Sequence, residues 1–420
     1  MILSKRQARL LLPLGIAVTL SLTGDSTLYA VLPNQTEVVG ISLAAVGVML
    51  GANRLVRIPG NLVAGTLNDL LGRRSLFLTG LALGILSTFS YSLVHGFWPL
   101  LAGRVLWGVA WALINVGGYT MVLEWSEPAD RGRMTGFYQA AYMIGLSISP
   151  ILGGTLTDAL GFRMAVRIDA LISAVGLAVA FAALPEVARS HGHAGQQGRA
   201  SLAEVSLPRL VRSLRETDRR ILLASLLYLL IFFVSSGVLM STISLYLEQR
   251  WGPSISVGGV VVGVASLAGL MLALRASLGI LGGPVAGIAS DWLHNRWPVV
   301  RTALLLGIAG FVVLTLPMGI AAVPFGVLLV ACGAGGLIAV LAALVGDLTV
   351  GNRAGITYGS LATAGDIGSA SGPLLAYALA VTLDLRWEYL LCALALATGL
   401  VMTIGQGKRE KAKCASGQAR

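Results

Sequence analysis

The sequence predicts an all-α integral membrane protein of twelve transmembrane helices in two pseudo-symmetric six-helix bundles, and three observations predict it. First, 56% of the 420 residues are apolar and only 12% are charged, whereas a soluble domain carries about 45–50% apolar residues, glycine included, and about 25% charged. With 53 glycines outside the apolar count, there is too little polar surface to cover such a core. That excludes a soluble enzyme, a disordered chain and a disulfide scaffold. Second, the apolar residues fall into twelve runs, each long enough to cross a hydrocarbon core of about 30 Å at about 1.5 Å per residue. Third, one long polar stretch splits the runs six and six, and landmarks of the first half recur in the second.

The runs lie near residues 10–32, 41–67, 75–95, 98–121, 136–157 and 164–185, and then near 221–246, 256–289, 300–317, 322–346, 356–382 and 388–405. Lys5, Arg6 and Arg9 ahead of Leu10–Leu20 resemble the start of a signal peptide. The apolar run continues past Asp25 to Leu32 without a small-x-small cleavage site, however, so it reads as a retained first helix. The polar stretch Glu186–Arg220 holds His191, His193, Gln196, Gln197 and many arginines, and reads as a linker rather than a catalytic domain. The expected organisation is an N-terminal bundle over 1–185, a cytoplasmic linker over 186–220, a C-terminal bundle over 221–406 and a basic cytoplasmic tail over 407–420.

A net charge of +11 invites a nucleic-acid reading, but the distribution of charge decides against it. With the N-terminus taken as cytoplasmic, 22 of the 30 Lys and Arg fall on that side and three (Arg163, Arg250 and Arg386) on the other. Such asymmetry is what orients a multi-pass protein in the plasma membrane, with both termini cytoplasmic. Trp98, Trp125, Trp251, Trp292, Trp297 and Trp387 sit at run ends as an interfacial belt. Cys332, Cys392 and Cys414 have no CxxC spacing and support neither a disulfide framework nor a metal site.

The halves match in register. Gly65 and Asp69 recur as Gly287 and Asp291 at an offset of 222. Glu124, Gly132, Gly136, Gly145 and Pro150 recur as Asp347, Gly355, Gly359, Gly368 and Pro373 at 223. Between runs two and three stands Gly65-Thr66-Leu67-Asn68-Asp69-Leu70-Leu71-Gly72-Arg73-Arg74, with a degenerate second copy from Gly287 to Arg296. This resembles the G-x-L-x-D-R-x-G-R-R loop of the major facilitator superfamily, with Leu70 in place of the first arginine. The resemblance covers essentially the whole chain. It implies the twelve-helix fold, a central cavity opening alternately to each side, and a site between the matched halves.

It also implies roles for particular residues. Gly65, Asp69, Gly72, Arg73, Arg74 and Asp291 form a gating motif, in which Asp69 holds the inner side closed by pairing with span eleven. The plainer alternative makes Arg73 and Arg74 topology anchors alone. Arg104-Val105-Leu106-Trp107-Gly108 in span four resembles the family's R-x-x-x-G motif, associated with proton coupling. Gly145 to Gly154 in span five resembles the antiporter signature G-x-x-x-G-P-x-x-G-G, with Ser149 replacing the glycine before Pro150. Gly145, Ser149 and Gly153 form a small-residue stripe for close packing, Gly154 ends the motif, and Pro150 bends the helix.

An ionisable group inside a membrane helix costs about 2.5–3.5 kcal/mol on insertion scales, so it faces a cavity or a partner. Arg104 shares a helical face with Gly108, Trp111 and Asn115; alternatively it snorkels to the interface. Asp25, with Tyr29 one turn on, and Asp366 are the acids deepest within spans. Either Asp25 or Asp366 is the expected proton-coupling group, modulated by Arg57 or Arg104, and the alternative is a static ion pair. Arg54 is a further partner for Asp25, Arg275 lies near the repeat-equivalent position, and Asp169 reads as an interfacial pair with Arg167. Trp111, Tyr142 and Phe233 are candidates for an apolar cavity wall, which beside an acid suits a lipophilic cation.

No lysine precedes Ser or Thr, so no P-loop is present, and no HExxH or GxSxG motif appears. No cofactor or metal is called for, and an ion gradient is the expected energy source. The resemblance thus implies a monomeric, proton-coupled exporter of small amphipathic organic compounds, with import of a polar nutrient such as a sugar or organic acid as the alternative. The partners are the substrate, protons and the lipid bilayer.

Overall fold

A computed structural model of the chain describes residues 4–127, 130–186, 219–257, 259–349 and 354–404. The expected linker, most of which falls in 187–218, and the basic tail lie outside the described residues. The first half runs through α1 (Lys5–Ser21), α2 (Thr23–Val31), the short α3 (Thr36–Val39), α4 (Leu43–Leu71), α5 (Arg73–Ser90), α6 (Phe97–Trp125), α7 (Arg131–Leu160) and α8 (Phe162–Ala183). The second half follows with α9 (Arg219–Ile231), a π-helical segment over Phe232–Leu239, and α10 (Met240–Trp251). A hairpin of β1 (Ser254–Val257) and β2 (Val260–Gly263) then leads into α11 (Val264–Trp292), α12 (Arg296–Thr315), α13 (Ala322–Leu348), α14 (Ala354–Leu379) and α15 (Leu385–Ile404).

Each of the twelve apolar runs therefore contains a helix. Among the described residues, nine spans are long and apolar enough to cross a membrane, with Lys5–Asn34 and Arg219–Trp251 each counted as one. The remaining three, α4, α5 and α14, dilute their apolar character with groups such as Asn53, Arg54 and Arg57, the leading Arg73-Arg74, and Asp366. That polarity is informative, because α4 carries much of the site described below.

Two runs depart from expectation. The first is broken at Leu22, between α1 and α2. Ser21 Oγ donates to the Val18 carbonyl at 2.9 Å and Thr23 Oγ1 to the Leu20 carbonyl at 3.0 Å, the back-bonding that bends helices. The eighth run was expected from about residue 256, but its helix starts at Val264. Val260–Val262 are β-branched and follow a glycine pair, so they form an antiparallel hairpin instead. Gly259, at φ 85°, supplies the left-handed backbone that its turn needs.

The chain divides into two compact units, Met1–Glu216 with Ser244–Ala273, and Thr217–Ile243 with Leu274–Arg420. In the first, Leu10, Leu14, Val18, Phe77, Trp107, Ile114 and Met121 form a buried core, while Leu171 and Phe181 point outward as a lipid-facing surface would. Lipid tails are as apolar as leucine, so helices in a bilayer associate through close packing rather than hydrophobic burial. Glycines supply that closeness: a Cβ on Gly80 would lie 2.9 Å from the Ala110 carbonyl, pinning α5 to α6. In the second unit Gly310 and Gly333 do the same for α12 and α13, each 2.6 Å from a facing carbonyl.

Candidate functional site

The site grows from three helices of the first unit. On α4, Met49, Asn53 and Arg57 recur every four residues and share one face. On α6, Arg104 and Gly108 stand one turn apart. A Cβ on Gly108 would sit 2.7 Å from the Asn53 carbonyl oxygen and 2.9 Å from Val56 Cβ, so the missing side chain lets α4 come close. The glycine of the R-x-x-x-G motif thus sets the distance across which its arginine acts. Gly108→Ala is expected to lower stability by about 1–3 kcal/mol, the usual cost of overpacking a rigid contact, read from the thermal midpoint in detergent.

Asp25, from α2, is the centre of the cluster. Its Oδ1 accepts from Arg104 Nη1 at 2.7 Å and from Asn53 Nδ2 at 2.9 Å, while its Oδ2 lies 3.8 Å from Arg57 Nη2. The Arg104 side chain is 0% exposed and that of Asp25 is 8% exposed; Arg104 Nε also donates to the Met49 carbonyl at 2.8 Å. Arg104 is therefore buried and paired and does not snorkel to the interface. Arg54 Nε donates to the Tyr29 hydroxyl at 3.1 Å, which donates in turn to the Leu50 carbonyl at 3.1 Å. Two guanidiniums lie over aromatic rings: Arg57 over Trp111 at 5.2 Å and Arg54 over Tyr29 at 5.5 Å. Tyr142 packs against Trp111 with ring centroids 5.4 Å apart.

The structure thus brings together Asp25, Tyr29, Arg57, Arg104, Trp111 and Tyr142 from the expected set, and adds Asn53. Asn115 is half-buried one turn beyond Trp111 on α6. Phe233 and Asp366 belong to the second unit: the Phe233 backbone packs on Gly368 and Gly372, and Asp366 is half-buried on α14. In that unit Arg275 donates to Ser236 Oγ at 2.7 Å and to Ser235 Oγ at 3.3 Å, both on the π-helical segment. Asp169, expected as an interfacial partner of Arg167, is instead fully buried with no ion pair among the described residues. The pitch of α8 turns it inward, where its carbonyl accepts from Thr23 Oγ1 at 3.2 Å.

In the gating motif, Gly72 joins α4 to α5 at φ 86°, a backbone that favours glycine. Arg73 holds Glu124 at 2.7 Å and donates to the Asn68 carbonyl at 3.1 Å, and Arg74 donates to the Phe181 carbonyl at 2.7 Å. The Asp69 side chain lies outside the described residues, and no described atom comes within 4 Å of a Cβ built on Gly65. In the second unit Arg296 binds Asp291 at 2.7 Å and Asp347 at 3.0 Å. Arg73–Glu124 and Arg296–Asp347 are thus one ion pair repeated at an offset of 223. From the start of α1, Arg6 reaches Glu127 and Gln7 donates to Asp130 at 2.6 Å, both acids lying between α6 and α7. The hydrogen bond from Gln7 holds the Asp130 carboxyl below the usual carboxylate range.

The motif on α7 packs on two sides. Gly145 faces Thr19, Gly153 faces Thr27, and Ser149 Oγ donates back to the Gly145 carbonyl at 2.6 Å. On the other side, within the same unit, a Cβ on Gly154 would overlap the Ala265 carbonyl, and one on Gly269 would overlap that of Pro150. One turn further, Asp158 Oδ2 accepts from the Ser266 backbone N–H at 2.7 Å and from its hydroxyl, so it satisfies an orphan donor in the first turn of α11. Sequence reasoning passed over Asp158, although Gly154-Thr155-Leu156-Thr157-Asp158 repeats the pattern of Gly65-Thr66-Leu67-Asn68-Asp69.

Asp25, Asn53, Arg57 and Arg104 thus form a polar cluster inside helices that are otherwise apolar and of membrane-spanning length. The sequence model of the Major Facilitator Superfamily matches residues 14–277 and 264–418, and the chain belongs to that superfamily. An uncharacterised MFS-type transporter of Mycobacterium tuberculosis is 31% identical over 180 residues, 42% of this chain and 26% of that one. Multidrug resistance protein 3 of Bacillus subtilis is 25% identical over 115 residues, 27% of this chain and 22% of that one. The chain thus spans about a quarter of the length of these relatives. Among solved structures, a bacterial homologue of the human lysosomal transporter Spinster shares the fold. It has a TM-score of 0.75 and 14% identity over 94% of this chain and 95% of that one.

Proposed function

We propose that the chain is a monomeric, proton-coupled exporter of small amphipathic organic compounds. It works by alternating access in the plasma membrane with both termini in the cytoplasm, and Asp25 carries the proton. The observation that carries this reading is the uneven hold on the two Asp25 oxygens. Oδ1 accepts two short bonds, from Arg104 and Asn53, while among the described residues Oδ2 has only Arg57, at 3.8 Å. Oδ2 is the oxygen open to a proton. Protonation removes the charge that holds Arg57 and Arg104, so α2, α4 and α6 lose their common tie. Deprotonation restores it. A cluster with two charge states of different cohesion is the element a proton gradient needs in order to bias a conformational equilibrium. The α7 motif, resembling the antiporter signature, and the multidrug relative favour export over import.

The test is flux in proteoliposomes under an imposed pH gradient, with a radiolabelled panel of amphipathic anions, cations and neutral compounds. Asp25→Asn is expected to lower gradient-driven flux by tenfold or more, with a smaller effect from Asp366→Asn. Full gradient-driven flux in Asp25→Asn removes Asp25 from the role, and full flux in both variants removes proton coupling through either acid.

A further inference from the structure

We infer that Asp169, with the hydroxyls of Thr27, Thr23 and Ser173, forms a binding site for one sodium ion between α2 and α8 of the first unit. The inference stands apart from the proposed proton site and holds whether or not Asp25 carries a proton.

The carboxylate comes first. Asp169 follows Phe162, the start of α8, by seven residues, about 10 Å along the helix, and is 0% exposed. Neither of its side-chain oxygens has a hydrogen-bond partner among the described residues, and no charged group among them acts on it. A carboxylate taken out of water is unfavourable unless a positive charge balances it. Asp25 has Arg104 for that purpose. Asp169 has no such counter-ion among the described residues, and its balancing charge must come from solution.

The surrounding hydroxyls give the second argument. Thr27 is the side chain that faces the Asp169 carboxyl. It is completely buried too, and its Oγ1 also has no hydrogen-bond partner among the described residues. Oxygens that face each other without a bond of ordinary geometry leave a place for a cation between them. Thr23 stands one turn before Thr27 on α2, and Ser173 one turn after Asp169 on α8, so each pair shares a helix face. Thr23 Oγ1 lies 3.2 Å from the Asp169 carbonyl and 3.3 Å from Ser173 Oγ, which joins the two faces. Both hydroxyls donate to the Leu20 carbonyl, at 3.0 Å and 3.1 Å, so their protons are spent and their lone pairs remain. This carbonyl lies beside the break at Leu22, and broken membrane helices are where transporters bring carbonyl oxygens to coupling ions.

The donor set selects the ion. Carboxylate, hydroxyl and carbonyl oxygens are hard ligands, suited to hard cations. One carboxylate balances one charge, and a divalent ion would stay half compensated in a region of low dielectric. Complete burial excludes an organic cation. A Cβ on Gly153 would overlap the Thr27 side chain, so α7 closes in on that residue and favours sodium over the larger potassium. In the second half Cys392 stands at the offset of 223 from Asp169, as Gly399 does from Gly176, so one ion per chain is expected.

The experiment uses the full chain in detergent and needs no transport. Thermal midpoints are compared in sodium, lithium, potassium and choline chloride at constant ionic strength, and retention of radioactive sodium is counted by equilibrium dialysis. Saturating sodium is expected to raise the midpoint over choline by about 3 °C or more, potassium by much less, and one sodium is expected per chain. Asp169→Asn is expected to abolish both the shift and the retention. Thr27→Val, which keeps the shape and loses the hydroxyl, is expected to weaken sodium about tenfold. Equal midpoints in sodium, potassium and choline overturn the inference, as does undiminished sodium retention by folded Asp169→Asn. A midpoint that depends on pH through Asp169 but not on sodium means that the carboxyl holds a proton, and overturns it as well. Should Asp169→Asn not fold, unchanged sodium affinity in Thr27→Val is the overturning result. Loss of pH-gradient-driven flux in Asp25→Asn with sodium retention intact supports both sites as separate.

Discussion

Arg104→Gln is expected to destabilise the protein by about 3–5 kcal/mol, the usual cost of removing one partner from a buried ion pair. The arginine is 0% exposed and lies 2.7 Å from a carboxylate that is 8% exposed. Without it, Asp25 keeps Asn53 at 2.9 Å and Arg57 at 3.8 Å, and the Met49 carbonyl loses its side-chain donor. Relief of the insertion cost of an arginine, about 2.5–3.5 kcal/mol on translocon scales, offsets little of this. That figure refers to a charge facing lipid, whereas Arg104 faces its counter-ion. Asp25→Asn combined with Arg104→Gln removes both charges of the pair and is expected to recover part of the loss, the remainder reflecting Arg57, which loses the carboxylate 3.8 Å away. The measurement is a double-mutant cycle on denaturant or thermal unfolding in detergent. A coupling energy below about 0.5 kcal/mol, the level at which distant sites simply add, means that the pair does not act as a unit.

Gly154→Leu is expected to prevent folding of the first unit, and Gly154→Ala to cost about 1–3 kcal/mol. A Cβ at this position would overlap the Ala265 carbonyl oxygen and lie 3.1 Å from Ser266 Cα. Both are backbone atoms, so no rotamer change relieves the clash. Gly269 against the Pro150 carbonyl and Asp158 on the Ser266 N–H fix the same two helices on either side, which leaves α7 no room to slide. Gly283 supplies the contrast. Its Cβ would meet Ala339 Cβ at 3.6 Å and the Gly335 carbonyl at 3.7 Å, ordinary contact distances. Gly283→Ala is therefore expected to be neutral or to gain up to about 1 kcal/mol from helix propensity. Thermal midpoints of the alanine variants check this directly, and an equal response at both positions would falsify the close-approach account of Gly154.

The spans were legible in the sequence because a bilayer demands long apolar runs and tolerates few charges within them. Arg104 and Asp25 stood out for the same reason. Their mutual contact was less legible, since Asp25 is 79 residues from Arg104 and periodicity says which residues share a helix face, not which helices touch. Gly108 held that information, but a glycine in a membrane helix has many uses, and its neighbour Asn53 stood out only as an amide within a span. The matched ion pairs were within reach: Arg73 and Arg296 stand at the offset of 223 that relates Glu124 to Asp347. The hairpin over residues 254–263 was hidden because valine raises the apolar score of a strand and of a spanning helix alike. The cation reading of Trp111 depended on an empty aromatic face, and only the position of Arg57 reveals that the face is taken.

The two matched ion pairs also put the assembly of the chain in time. Arg73–Glu124 and Arg296–Asp347 each close a loop of 51 residues, whereas Asp158 and Ser266 are separated by 108. Ribosomes add about 5–20 residues per second, so each ion pair has both partners within about 3–10 s of the appearance of its arginine. The Asp158 contact waits about 5–20 s for its partner. The early helices of each half are thus tied by a bond that is complete before the other half is needed. The contact between α7 and α11 needs Ser266, so it follows the first ion pair, complete at Glu124, and precedes the second, complete at Asp347. Nascent chains arrested between Glu124 and Ser266 would carry the first ion pair without the helix contact, a half-built protein with its own local order.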